Sequence, residues 1–180
     1  MTRIFPYGRI SPPQIKELMI ADGTAAAICE LVPAARVPAV ILQATDEPVS
    51  ALTRLLESNP LDVLHLVAHG RKGAISLGGE WIDGSTLLIN ARLLRTWRVQ
   101  QIALWSCQIG RECSLVKALS HLTGALVHST DTVLGMTPDG PYWQLGSISP
   151  DIRAPFHTSA LLHWPHQLTD LLPDCLFPDR

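Results

Sequence analysis

Along the chain, short apolar runs alternate with stretches whose apolar residues recur every three or four positions. The runs are residues 37–43 (VPAVILQ), 61–68 (LDVLHLVA), 101–106 (QIALWS) and 125–128 (ALVH). They are near-continuous rather than alternating, the pattern of strands covered on both faces of a sheet. Between them, Val49, Leu52, Leu55 and Leu56 share one helical face, and Leu115, Val116, Leu119 and Leu122 share another. Thr45-Asp46-Glu47-Pro48 carries the marks of a helix start, and Asn59-Pro60 those of its end. Gly124 stops the later helix. Buried strands joined through helices predict βαβ units. The expected fold is therefore α/β, a three-layer sandwich with a mostly parallel central sheet and helices on both faces.

The remaining elements are predicted from weaker patterns. Residues 73–83 (GAISLGGEWID) form a hairpin turning at Gly78-Gly79. Ser85 caps a helix that buries Leu87, Leu88, Ala91 and Leu94, with Arg92, Arg95 and Arg98 as a solvated row. Residues 3–7 form a first strand, 12–19 a helix, 25–31 a second helical piece and 142–148 (YWQLGSI) an added edge strand. A C-terminal helix runs over 158–172, interrupted at Pro165. This divides one domain into an N-terminal strand and helix region (1–36), a core (37–148) and a tail (149–180).

Composition narrows the function classes. A chain of 180 residues is the length of one domain and can bury a core without staples. Lys plus Arg is 14 against 16 Asp plus Glu, a net charge of -2, so no basic excess points to nucleic acid or an anionic membrane. No apolar run reaches the roughly 18–20 residues of a membrane span. The N-terminal residues have no apolar signal core, so nothing predicts export. Four Cys in such a chain are no disulfide framework and read as reduced thiols of a cytoplasmic protein. Cys29 reads as core, Cys113 as packing within a helix, and Cys175 as part of the tail. His65 and His69 share a strand face, but no Cys or carboxylate stands at ligand spacing, so no metal and no cofactor is expected. Oligomeric state has no signature.

One pair of polar residues stands out by position. In parallel sheets, ligands sit at the carboxyl ends of the strands. His69-Gly70 follows one strand run and Cys107 follows another, and the two strands are expected neighbours. A thiolate at Cys107 would attack a carbonyl carbon, and the His69 imidazole would lower the thiol pKa or protonate a leaving amine. Gly70 has no side chain to keep its N–H from a developing oxyanion, and the N–H of Cys107 is a natural second donor. The bland alternative is that Cys107 is a packing residue and His69-Gly70 only a turn.

The block LDVLHLVAHGRKGAISLG, followed later by IALWSCQIG, resembles the clan CD cysteine peptidases, the group holding caspases, gingipains, legumain and separase. It is most similar to the bacterial caspase-like domain at the N-termini of long secreted repeat proteins and adhesins. Leu122-Thr123-Gly124-Ala125, Ser129-Thr130-Asp131 and Tyr142-Trp143-Gln144-Leu145 extend the resemblance over residues 37–148. It implies a caspase-like fold and cleavage of peptide bonds in a peptide or protein substrate. His69 matches the catalytic His, Cys107 the nucleophile and Gly70 the oxyanion glycine. Ser129, Thr130 and Asp131 match a loop beside the site and are candidates for the substrate pocket. There Asp131 would favour a basic residue before the scissile bond, or would simply cap the loop. The chain lacks the long repeat region of that family, which puts autoprocessing in doubt.

Two other readings stay open. Cys107 could be the nucleophile of an α/β-hydrolase elbow in the order Cys107, Asp139, His157, although Trp105 stands where the elbow wants Gly. The chain could also be a catalytically silent caspase-like interaction module.

Overall fold

The computed structural model describes residues 16–44, 47–57, 60–146 and 152–169. Five strands form a central sheet in which every pairing is parallel: β1 (Glu17–Asp22), β2 (Ala39–Leu42), β3 (Leu61–Val67), β7 (Val99–Trp105) and β8 (Leu126–His128), in the order β2-β1-β3-β7-β8. All four predicted buried runs are strands of this sheet. Helices α1 (Ala26–Leu31), α2 (Pro48–Leu56), α3 (Gly84–Ile89), α4 (Ala91–Leu94), α5 (Ser114–Thr123) and α6 (Thr158–Leu161) cover it. The chain is thus an α/β fold with a mostly parallel central sheet.

Strand side chains alternate between two cores, because successive residues of a strand point to opposite faces. Leu64, Leu66, Ile102 and Leu104 enter the core shared with α2, α4 and α5. Val67, Ala103, Trp105 and Cys107 enter the core shared with α1, α6, Trp164 and Leu168. The predicted faces of α2 and α5 are the ones that pack. Gly124, with φ 73°, ends α5 in the left-handed conformation that glycine adopts without cost.

After β3 the chain forms a small antiparallel sheet of β4 (Gly70–Arg71), β5 (Ala74–Leu77) and β6 (Glu80–Asp83). Gly78 and Gly79 both have positive φ, 59° and 82°, as a two-residue hairpin turn of this hand requires. The turn is tied to the end of β1, where Asp22 accepts from the Gly78 N–H at 3.1 Å. A second hairpin joins β9 (Gly135–Thr137) to β10 (Gly140–Tyr142).

Several expectations are corrected. The stretch expected to be helical up to Met19 is instead β1 from Glu17 onward, and it lies in mid-sheet between β2 and β3. Leu, Met and Ala favour helices weakly, and pairing on both edges overrides that preference. The sheet therefore begins well before residue 37. Asp83, not Ser85, caps α3, accepting from the Thr86 N–H at 2.9 Å. Leu88 is exposed because the helix breaks at Asn90, which turns the predicted face. Within 142–146 only Tyr142 is strand, and it belongs to the β9–β10 hairpin rather than the sheet edge. Helix α6 stops at Leu161, and Gln167 and Thr169 form isolated bridges to other backbone on either side of a bend at Leu168. Cys113 is exposed and Cys29 only half-buried. The expected strand over 3–7, the start of the helix over 12–19, and Cys175 lie outside the described residues. Among the described residues, no helix is long and apolar enough to cross a membrane.

Candidate functional site

The site is assembled at the carboxyl ends of β3 and β7. Their last paired residues are Val67 and Trp105, and the Ala68 N–H continues the ladder to the Trp105 carbonyl at 3.2 Å. His69 and Cys107 each stand two residues beyond the last paired residue of their strand, at the same end of the sheet. The register therefore brings the two predicted site residues to one edge. Gly70 then passes tightly over the second strand end. A Cβ there would stand 2.5 Å from the Cys107 carbonyl oxygen and 2.7 Å from its nitrogen, so only glycine fits.

This close approach aims two backbone donors at one point. The Gly70 N–H and the Cys107 N–H both donate to the Leu168 carbonyl oxygen, at 3.0 and 3.2 Å. These are the two N–H groups expected to hold an oxyanion. The occupant was not legible in the sequence, because a backbone carbonyl carries no side-chain signal. The only hint was Pro165, which forbids a continuous helix through this stretch.

Residues flanking Leu168 complete the picture. The Leu168 N–H donates to the Leu134 carbonyl at 2.9 Å, and the Met136 N–H to the His166 carbonyl at 2.8 Å. Gln167 is bridged antiparallel to Gly135, and Thr169 is bridged parallel to Gly70. The segment thus runs between β4 and β9, bridged on either side of a bend at Leu168. Gly135 permits this passage, since a Cβ there would lie 2.4 Å from the His166 oxygen. Leu168 is completely buried among Trp105, Cys107, Leu134 and Trp164.

Cys107 is sealed beneath this segment. Its Sγ accepts from the Leu134 N–H at 3.2 Å and lies 3.6 Å from the Leu134 carbonyl oxygen. Burial pushes its pKa up to about 11, against smaller opposing effects of backbone hydrogen bonds from Leu134 and Leu168. In this closed arrangement the sulfur is a thiol at neutral pH and not a nucleophile.

The Ser129-Thr130-Asp131 loop braces the turn after Cys107. Thr132 accepts from the Gln108 N–H at 2.9 Å, Thr130 from the Gly110 N–H at 2.8 Å, and the Asp131 carbonyl from Arg111 Nε at 2.9 Å. Thr130 is buried, with its hydroxyl 2.8 Å from that of Thr132. Asp131 is exposed, and its backbone makes the contact with Arg111. The residues that pair with the 166–169 segment come later, at Leu134, Gly135 and Met136. A nucleophile elbow needs its strain at the nucleophile, yet among the described residues Gln108 is the non-glycine with positive φ, at 59°. His157 is placed elsewhere, heading α6 with its N–H on the Ala34 carbonyl.

His65 supports the floor of the site. Its Nδ1 accepts from Trp105 Nε1 at 3.0 Å, which leaves Nε2 as the protonated nitrogen, 3.2 Å from Glu17. Burial lowers its pKa to about 4, with the Glu17 hydrogen bond and charge acting in the opposite direction. A neutral imidazole that holds a buried Trp is a structural strut. Among the described residues, no three His, Cys, Asp or Glu are grouped to hold a metal ion.

Compared with known proteins, residues 18–168 match the family model described as "Domain of unknown function (DUF4347)". No curated protein matches the chain.

Proposed function

The chain belongs to this family, and we propose that it is a cysteine peptidase of caspase-like fold, with Cys107 as nucleophile and His69 as its acid–base partner. One observation carries the reading: the Gly70 and Cys107 N–H groups converge on a single carbonyl oxygen at 3.0 and 3.2 Å. Such a pair, fixed before reaction, is what stabilises the negative oxygen of a tetrahedral intermediate. The strand order and the position of His69 and Cys107 at neighbouring strand ends support the same reading.

Chemistry requires the bound strand to leave. A substrate carbonyl then takes the place of the Leu168 oxygen between the two donors. Solvent reaching Cys107 relieves the burial that raises its pKa, and a protonated His69 draws it down further. The thiolate adds to the carbonyl carbon, and His69 gives its proton to the leaving amine. Water then hydrolyses the thioester, with His69 as base. A peptide or protein is the substrate class, and no cofactor takes part. A cytoplasmic place of action suits a nucleophile that must stay reduced.

The sealed thiol favours a second reading, in which the scaffold is an interaction module without activity. A fluorogenic peptide assay on the full chain separates the two. His69→Ala should lower kcat/KM about 10²–10⁴-fold, the usual span of general acid–base catalysis. Gly70→Ala keeps the N–H but its Cβ meets the Cys107 backbone and pushes that donor out of place, which should cost kcat about 10²–10³-fold in a variant that circular dichroism shows to be folded. Turnover that persists in Cys107→Ala removes Cys107 as the nucleophile, and absence of cleavage by both the wild type and a folded Leu168→Asp variant, whose site is open, supports the module instead.

A further inference from the structure

We propose that residues 166–169 occupy the site as a substrate would, with Leu168 on the acyl side of the scissile bond. The site would therefore select extended peptides carrying a leucine-sized apolar residue there. This rests on the peptidase reading and adds the substrate class that the motif residues leave open.

The backbone pattern carries the argument first. A peptide bound for cleavage must present its carbonyl oxygen to the oxyanion donors, and the Leu168 oxygen sits on both of them. It must also be held extended on the acyl side. Here the Leu168 N–H donates to Leu134 and the His166 carbonyl accepts from Met136, which is β-strand addition along an edge. The Cys107 sulfur is held by the Leu134 N–H at 3.2 Å, on that same edge. Thr169, bridged to Gly70, lies on the leaving-group side. The bond in reacting position is thus the one between Leu168 and Thr169.

The side chain carries the specificity. Leu168 is fully buried in the apolar cluster that also holds Trp105, Leu134, Trp164, Cys107, Ala103 and Val67. A carboxylate or ammonium in that place would lose its hydration without gaining a counter-charge from the apolar lining. Asp131, the one acid expected near the pocket, is instead exposed on the bracing loop.

The test uses the full chain and peptide ketones of sequence Pro-His-Gln-X, with an acyloxymethyl leaving group and X as Leu, Asp or Lys. Adducts on Cys107 are read by intact mass. Leu168→Asp and Leu168→Lys each expel the strand from within, by placing a charge in the apolar lining that holds Leu168. Far-UV circular dichroism identifies which variants remain folded. We expect either folded variant to be labelled about tenfold faster than wild type or more, because the fraction of open sites rises. The Leu probe should outpace the Asp and Lys probes by at least about tenfold. Equal rates, or a preference for a charged X, overturn the proposal while leaving the peptidase standing. Folded variants that react no faster than wild type overturn it as well. If His69→Ala placed in the opened variant leaves labelling unchanged, the peptidase reading itself fails.

Discussion

At the scale of single residues, the chain uses the same physical effect to opposite ends. Burial keeps His65 neutral and serves the fold, whereas burial keeps Cys107 protonated and silences it. His65 carries a pH prediction. Its folded pKa, about 4, lies below the ordinary 6.5, so the unfolded chain binds the proton more readily. Stability is therefore fully present above about pH 6.5 and declines as pH falls toward 4, by at most about 3 kcal/mol. Urea unfolding at a series of pH values should show that decline, and His65→Gln should flatten it. Gly70 illustrates what the sequence offers at this scale. The His-Gly pair at a strand end was legible, but that a Cβ there would meet the Cys107 backbone at 2.5 Å was not. The distance depends on a chain segment more than thirty residues away.

At the scale of elements, periodicity was a good guide where an element is buried by its neighbours and a poor one where it is short. Strands β3 and β7 and the helices α2 and α5 follow their patterns, since each contributes a coherent apolar surface to a core, whereas the runs at β2 and β8 form strands but stand at the sheet edges and expose Ile41 and Leu126. Helix α3 departs because Asp83, two residues before the predicted cap, already accepts the Thr86 N–H. Asp83→Ala should accordingly lower stability by about 0.5–2 kcal/mol, measured by chemical denaturation, while Ser85→Ala should do much less. Strand β1 departs for another reason. Its residues tolerate a helix, and only pairing on both edges makes the extended form the better one.

At the scale of the whole molecule, the closed site depends on a contact spanning most of the chain. Trp164 is buried, donates Nε1 to the Ala27 carbonyl of α1 at 2.9 Å, and packs on Trp143 with ring centroids 5.5 Å apart. It anchors the strand that reaches Cys107. Trp164→Ala should cost about 3–5 kcal/mol in unfolding free energy. The local effect should be larger than the global one implies. Amide exchange at Leu168 and Met136, measured by mass spectrometry, should accelerate more than exchange in β3 and β7. Uniform acceleration would mean that the anchor serves the whole core and not the strand.

The sequence by itself determined four of the five strands of the parallel sheet, its main covering helices, and the presence of a His-Gly and a Cys at two strand ends. These follow from local information: hydrophobic period, breakers, and side chains whose chemistry is written in the residue type. Only the tertiary structure decided what fills the site. The occupant is a backbone carbonyl from residue 168, and peptide groups are alike at every position. Nothing in a residue's identity says which carbonyl will find two unpaired N–H groups, and that choice is made by packing across the fold.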